Sequence, residues 1–313
     1  MKIGLGIHSA WTAMRQRLSA ANDRALKAGL YVALTPTIWM LLFLIGPLLL
    51  VLKIGFSKST FAMPPFSAVF SIAADYIVNI RFNFGNYITI LNDSYYISAF
   101  ANSIYLGLST SVLCLILGFP MAYGIHCTRR RWVKMSLIMM VALSFWTSFL
   151  VRVYSWMNLL SAHGLVNSTL LKLGFITHPI QLIGNYNMVC TGLVFCYLPF
   201  MIFPIYAVLE KVDRSYTESA TDLGCTPTRV FWRITVPLSK SGAISGCIMV
   251  FTMSAGEFVI PELLGNADTI TFGRVLWTEF FTNLDWPMAC ALSVVMMLFI
   301  ILPVVWVNNK IPS

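Results

Sequence analysis

Charged residues are scarce in this sequence. Asp, Glu, Lys and Arg make up 11% of its 313 residues, apolar residues make up 58%, and the mean hydropathy is +0.77. This composition lies outside the range of soluble globular proteins, so a lipid bilayer must be the main solvent. A net charge of +9 suggests nucleic acid only if the basic residues form a patch. Here they fall in short loops between apolar runs, and we interpret them as signals of membrane topology.

Motifs for metal, disulfide and nucleotide chemistry are also missing. The seven cysteines include no C-x-x-C pair, and the four histidines have no metal-like spacing. There is no G-x-x-x-x-G-K-[ST] phosphate-binding loop, and no soluble segment is long enough for an NTPase core. The apolar runs hold no paired carboxylates, His cluster or Ser/Lys dyad, which disfavours an integral-membrane enzyme. We predict no catalytic residues, no metal site and no cofactor in this chain.

Six apolar runs are long enough to cross about 30 Å of hydrocarbon. Because they lack the alternation of barrel strands, the predicted fold is an all-α integral membrane bundle. No cleavable signal is apparent, since the first run begins near residue 30 and continues for more than twenty residues. The predicted transmembrane helices lie at about 30–56, 97–126, 134–153, 188–209, 242–262 and 288–307.

Basic residues are distributed unequally between the two sides of the predicted bundle. Fifteen of the 21 Lys and Arg residues fall on the side that holds both tails, and six fall on the other. The positive-inside rule therefore predicts that both termini are cytoplasmic. We predict a basic tail at 1–29, one membrane domain at 30–307 and a second cytoplasmic tail at 308–313, in a bacterial inner membrane.

A polar loop, 213–240, interrupts the apolar runs on the cytoplasmic side. Ser215 and Glu218 have the spacing of a capping box, which predicts the start of a helix. Gly224 supplies the left-handed position that ends a short helix, and Pro227 is suited to the first turn of a second helix. The polar loop is therefore predicted to contain two short helices.

The second short helix is predicted to end at Pro237 and to carry one apolar face, formed by Val230, Phe231 and Ile234. A face of this kind just under the bilayer suits a hydrophobic cleft in a partner protein. It suits packing against the chain's own helices equally well, and a purely structural scaffold is the plainest alternative to a docking role.

The polar loop resembles the EAA loop of bacterial ABC importer permeases, E-A-A, three residues, G, nine residues, I-x-L-P. Here it reads Glu218-Ser219-Ala220, then Gly224, then Ile234-Thr235-Val236-Pro237, with serine and valine as the two departures. The resemblance implies a type I ABC importer permease fold with a cytoplasmic coupling helix. It also implies ATPase-coupling roles for Glu218, Ala220, Gly224, Pro227, Val230, Phe231, Ile234 and Pro237.

The resemblance implies a set of partners as well. These are a second permease subunit, forming a heterodimer, two separate ATPase subunits that bind ATP and Mg, a periplasmic binding protein, and membrane lipid. No nucleic acid is expected. The chain itself would convert closure of the ATPase into helix rearrangement, a rigid-body transition carried by a packed contact.

Beyond the polar loop, the chain is similar to the polyamine branch of these permeases, the spermidine/putrescine importers, and in particular to putrescine transport permeases. The similarity rests on the segments at 145–156, 256–265, 273–277 and 285–287, and it extends over 30–307. It implies inward transport of polyamines by alternating access. A permease for another solute, such as ferric iron, thiamine or an oxyanion, is the alternative.

A linear polyamine is a multivalent cation with methylene spacers, so its path should offer carboxylates and aromatic faces. Glu257 is predicted to lie about sixteen residues into the fifth span. A charge at that depth costs about 2.5–3.5 kcal/mol on insertion scales, so Glu257 is expected to face a wet cavity or a partner. A structural ion pair with Arg152 is the competing interpretation.

Six further residues are candidates for the substrate path, and each has an ordinary alternative. Glu262 would otherwise be a solvated charge at a helix end, and the aromatic residues near the third span would form an interfacial belt. The loop candidates would simply be solvated. The six are Glu262, Trp146, Tyr154, Trp156, Asp285 and Trp286.

Overall fold

The computed structural model describes residues 32–60, 62–67, 70–72, 78–80, 82–213, 215–266 and 268–310. The predicted cytoplasmic tail at 1–29 lies outside these residues, as does the end of the second tail. Two short strands, β1 (Phe70–Ile72) and β2 (Val78–Ile80), pair antiparallel with Phe70 opposite Ile80. Everything else of regular structure in the described residues is helical.

The helices follow the apolar runs of the sequence. In chain order they are α1 (Val32–Gly55), α2 (Gly85–Asn92), α3 (Ser94–Cys127), α4 (Arg131–Trp146), α5 (Phe149–Leu160), α6 (Leu165–Lys172), α7 (Tyr186–Lys211), α8 (Ser215–Asp222), α9 (Pro227–Leu238), α10 (Lys240–Ala255), α11 (Val259–Leu264), α12 (Phe272–Trp277, continued by a π-turn at Thr278–Thr282) and α13 (Trp286–Lys310).

The core of the molecule is formed by α3, α7 and α10, which pack against one another along much of their length. Leu106 of α3, Leu193 and Met201 of α7 and Val250 of α10 are fully buried there. Lipid gives no hydrophobic driving force between helices, so close backbone approach through small residues has to hold the bundle together. Gly242 provides such a contact, because a Cβ atom at this position would lie 2.7 Å from the carbonyl oxygen of Pro204.

The first helix stands apart from this core. Its second half packs against α13, where a Cβ atom on Gly55 would lie 3.2 Å from the backbone nitrogen of Ala291. The same Cβ atom would lie 3.0 Å from the hydroxyl of Tyr87 in α2. Its first half, Val32–Ile45, is exposed throughout. An apolar helix that is bare on all sides requires lipid or another membrane helix around it.

The predicted third span, 134–153, is not one helix. α4 ends at Trp146 and α5 begins at Phe149, and the chain bends by 98° at this break. The hydroxyl of Thr147 donates to the Ser144 carbonyl over 3.0 Å, and the Ser144 hydroxyl donates to Val141 over 2.7 Å. Such local bonds offer the backbone an alternative to the helical ladder and accompany the break.

The predicted fifth span, 242–262, is also divided. α10 ends at Ala255, and residues 256–258 separate it from α11. At its other end, α10 meets α9 at a bend of 61°. By length and composition, three helices of the described chain could cross a membrane, or five if each bent pair is one span. α13 adds a shorter apolar stretch, Trp286–Leu302.

We predict that Gly242→Ala destabilises the bundle by about 1–3 kcal/mol, because the new methyl group overlaps backbone that has no room to move. The matched control is Gly124→Ala in α3, where a Cβ atom would meet nothing within 4 Å. The control should be neutral or slightly stabilising, since Ala favours a helix over Gly. Thermal unfolding in detergent measures both variants, and equal midpoints would contradict the packing argument.

Candidate functional site: a cytoplasmic two-helix loop and a polar cluster in the bundle

The first short helix of the polar loop begins at Ser215, as predicted, but not through the expected capping box. The Asp213 carboxylate accepts a hydrogen bond from the Ser215 amide over 3.0 Å, so Ser215 is already inside the helix. The predicted role of Gly224 as helix stop is confirmed, because its φ is +82°. The amide of Cys225 donates to Ala220 (3.0 Å) and that of Gly224 to Thr221 (2.9 Å), a Schellman motif.

The second short helix does not end at Pro237. α9 continues to Leu238 and passes through a π-turn at Phe231–Thr235, in which the Val236 amide donates to the Phe231 carbonyl. Proline lacks the amide of a normal helical ladder, and a widened turn accommodates that loss. The chain then bends at Ser239 and runs directly into α10. The helix therefore stops one residue beyond the predicted end at Pro237, and α9 and α10 form one bent unit.

The apolar face of α9 turns towards the chain's own helices. Val230 is buried, and the ring of Phe231 meets Tyr123 and Phe119 of α3 edge-on, with centroid distances of 5.0 and 5.8 Å. Of the two readings open from the sequence, packing on the bundle is the one that describes these side chains. Ile234 is half-buried.

Other residues of the polar loop are exposed. Among the predicted coupling residues, Glu218, Gly224, Pro227 and Pro237 are exposed, whereas Ala220 is buried. Leu223 is 86% exposed and Tyr216 is 59% exposed, although both are large and apolar. Sequence reasoning missed these two residues. Tyr216 lies in α8 and Leu223 follows its last residue; their spacing of seven, which is two helical turns, was the available signal.

Glu257 lies in the break between α10 and α11, not inside a continuous fifth helix as predicted. One carboxylate oxygen accepts from the amides of Phe258 (3.1 Å), the last residue of the break, and Val259 (2.9 Å), the first residue of α11. The other oxygen accepts a hydrogen bond from the Tyr197 hydroxyl of α7. The glutamate therefore satisfies backbone donors that the helix break would leave unpaired.

Arg152 has the complementary role at the other break. Its guanidinium donates to the carbonyls of Ser144 and Thr147 at the end of α4, the latter over 3.3 Å. A third hydrogen bond of 3.2 Å reaches the Cys196 carbonyl of α7. Among the described residues, the ion pair with Glu257 is not formed. Instead, Arg152 and Glu257 meet α7 at adjacent residues, and we call Arg152, Tyr197 and Glu257 the polar cluster.

An aromatic stack lies next to Glu257. Phe258 and Trp277 are parallel with centroids 4.6 Å apart, and Phe281 lies 4.1 Å beyond Trp277. α12 approaches closely at Gly273, where a Cβ atom would lie 2.8 Å from the carbonyl oxygens of Gly256 and Glu257. Trp277 and Phe281 are both exposed at their outer faces. The polar cluster therefore borders an aromatic surface that sequence reasoning did not assemble.

The other acidic candidates have structural partners. Glu262 forms an ion pair of 2.6 Å with Arg274, which also donates to the Asn266 carbonyl. Asp285 caps α13 by accepting from the Met288 amide over 3.1 Å. Trp286 stacks on Phe280 with centroids 5.3 Å apart.

The three aromatic candidates of the third run do not form one cluster. Trp156 stacks on Phe195 at 4.8 Å, whereas the rings of Trp146 and Tyr154 are exposed. No ring contact joins these three residues in the described chain. A further acid, Glu279, was missed: it is buried and accepts from the Tyr96 hydroxyl and the Asn283 amide, both over 2.9 Å.

Residues 114–309 match the family model described as "Binding-protein-dependent transport system inner membrane component". The chain is 32% identical over 256 residues to the spermidine/putrescine transport system permease protein PotB of Escherichia coli (strain K12), covering 82% of this chain and 88% of that permease. It is 31% identical to PotB of Haemophilus influenzae, covering 82% and 84%. The chain belongs to this family of ABC importer inner-membrane permeases, as the polar loop predicted.

Solved structures agree on the fold. A bacterial ABC transporter that imports the acidic polysaccharide alginate contains a chain with a TM-score of 0.66 and 19% identity, covering 92% of this chain and 96% of that one. The MetNI methionine ABC transporter gives a TM-score of 0.53 at 12% identity, covering 68% and 93%. The predicted class, a helical ABC permease fold, is therefore confirmed.

We predict that Arg152→Met lowers the thermal stability of the protein, because three carbonyls lose a donor and each unsatisfied buried group costs about 1–3 kcal/mol. Arg131→Met, at the exposed first residue of α4, is the matched control and should have little effect. If both variants unfold at the same temperature in detergent, Arg152 does not stabilise the helix break.

Proposed function

We propose that this chain is the permease subunit of an ATP-driven importer that moves putrescine or spermidine from the periplasm to the cytoplasm by alternating access. The observation that carries the proposal is the position of Glu257: a carboxylate in a broken helix, bordered by a partly exposed aromatic stack. Membrane transporters build substrate sites from discontinuous helices, because unwound backbone and side chains supply polar groups at membrane depth. The similarity to PotB supports the same substrate class.

Six membrane spans follow if each bent pair counts as one span and α13 as the last. This arrangement, with the Lys and Arg bias of the sequence, supports a cytoplasmic position for the polar loop and both termini. The loop then faces the compartment where ATP is available. A separate ATPase would bind ATP and Mg, and this chain would supply no nucleotide site.

The polar loop would couple to the ATPase through its exposed surface. Glu218, Leu223, Gly224 and Pro227 are accessible to a partner. Val230 and Phe231 lie on the opposite side and pack against α3, so they would transmit movement inward rather than contact the partner. The loop would thus act as a lever with one bound face and one packed face.

The polar cluster would receive an ammonium group of the substrate. The Glu257 carboxylate supplies the negative charge, and the exposed ring of Phe281, at the open end of the aromatic stack, would suit a cation–π contact and a methylene stem. Arg152 donates to backbone carbonyls, and among the described residues no Lys or Arg forms an ion pair with Glu257. The remaining partners would be a second permease subunit, two ATPase subunits and a periplasmic polyamine-binding protein.

We predict that Glu257→Gln lowers polyamine uptake by about tenfold or more, since a charged hydrogen-bond partner contributes about 1.5–3 kcal/mol. The amide keeps the shape and can still accept from Phe258, so assembly should be unchanged. Glu262→Gln is the matched control, and it should have a smaller effect because Arg274 already neutralises Glu262. Uptake of labelled putrescine and spermidine into vesicles tests this, and wild-type uptake by Glu257→Gln would refute the assignment.

We predict that Gly224→Val impairs association with the ATPase, because a β-branched residue resists the φ of +82° that ends α8. Gly224→Asn should retain association, since Asn tolerates the left-handed conformation. Co-purification of the ATPase and stimulated ATP hydrolysis measure the effect. Full association of the valine variant would show that the turn is not required for docking.

A further inference from the structure

An apolar groove of about 720 Å³ runs between α3 and the unit formed by α9 and α10. One wall is made by Leu115, Phe119 and Pro120 of α3, and the other by Phe231, Trp232 and Val236 of α9. Lys240, at the start of α10, is the charged member of its lining. This volume is in the range of sites that bind one small molecule.

The depth of the groove follows from helix geometry. Leu115 and Pro120 lie twelve and seven residues before the end of α3, about 18 and 10 Å by helical rise. One leaflet contributes about 15 Å of hydrocarbon, half of a typical bilayer core. With the proposed orientation, the α3 wall of the groove therefore lies mostly within the inner leaflet and begins about 10 Å from the cytoplasmic end of α3.

Lys240 forms the polar end of the groove, and its long side chain can extend towards the headgroup level. Lys240 is exposed, and no acidic side chain of the described residues lies within ion-pair distance of it. Arg229 and Arg233 of the preceding helix, α9, are exposed as well. Trp232 is also exposed, and an indole at this depth is typical of a membrane interface. A cationic end and an apolar body together match a lipid with an anionic headgroup.

We propose that this groove binds one anionic phospholipid of the inner leaflet, with an acyl chain between α3 and α9 and the phosphate at Lys240. Charge complementarity favours this occupant over a helix of a second permease subunit, since an apolar helix would leave Lys240 unpaired. Because the groove is formed by both α3 and α9, the lipid bridges the bundle and the polar loop. It stabilises the packed arrangement of Phe231 against α3.

Photo-cross-linking of the complete transporter in nanodiscs tests the proposal. The probes are phosphatidylglycerol and phosphatidylcholine, each carrying a photoreactive acyl chain, and the labelled peptides are mapped by mass spectrometry. We expect phosphatidylglycerol to label 115–120 and 231–236 preferentially. Lys240→Gln should reduce that preference about fivefold, and Lys240→Arg should keep it. Lys211→Gln, an exposed lysine at the end of α7, is the matched control and should change nothing.

A second variant keeps the test decisive if Lys240→Gln does not assemble. Ala243→Phe fills the groove without changing its charge and should abolish labelling of these segments by both lipids. Equal labelling by both lipids, or no labelling of these segments, overturns the proposal. So does a photo-cross-link to the second permease subunit from a benzophenone side chain introduced at Val236 in the assembled transporter. The proposal uses the orientation of the polar loop but not the identity of the transported solute, so uptake assays and lipid labelling fail independently.

Discussion

The structure depends on one constraint: every backbone amide and carbonyl within the bilayer must find a partner inside the protein. Unbroken helices such as α3 and α7 meet most of it by themselves, although each contains proline. The two breaks cannot, and each is repaired by a charged side chain. Arg152 supplies donors to the carbonyls that α4 leaves open, and Glu257 supplies acceptors to the amides that begin α11. The two charged side chains therefore serve to complete the hydrogen bonding of the backbone at the breaks.

Both repairs converge on α7. Arg152 reaches the Cys196 carbonyl, and Glu257 accepts from Tyr197, the next residue. Pro199 follows two residues later within the same helix, where its missing amide weakens the local ladder. A cation that withdrew Glu257 from the Phe258 and Val259 amides would disturb the break and α7 together. In the proposed function, the Glu257 carboxylate therefore couples substrate binding to helix geometry.

The sequence predicted those parts of the structure that depend on neighbouring residues. Apolar runs located the helices, and Gly224 located a left-handed turn. The breaks at 147–148 and 256–258 were not predicted, because their stabilising contacts come from distant residues such as Cys196 and Tyr197. For the same reason, the sequence did not predict the ion pair of Glu262 with Arg274, which is twelve residues away. Hydrophobicity alone also did not show whether Phe231 would face α3 or a partner.

The continuity of α9 and α10 determines how movement of the polar loop can reach the polar cluster. α10 has sixteen residues, about 24 Å by helical rise, and Glu257 follows its last turn. Gly242 and Gly246 let this helix pack closely against α7. A Cβ atom added at Gly242 would lie 2.7 Å from the Pro204 carbonyl oxygen, and one at Gly246 would lie 2.7 Å from the Met201 sulfur. Such contacts permit sliding or rotation of rigid helices but little bending. A force on α8 and α9 would therefore rotate α10 as a rod and change the break at its far end, where Glu257 holds both the α11 amides and Tyr197.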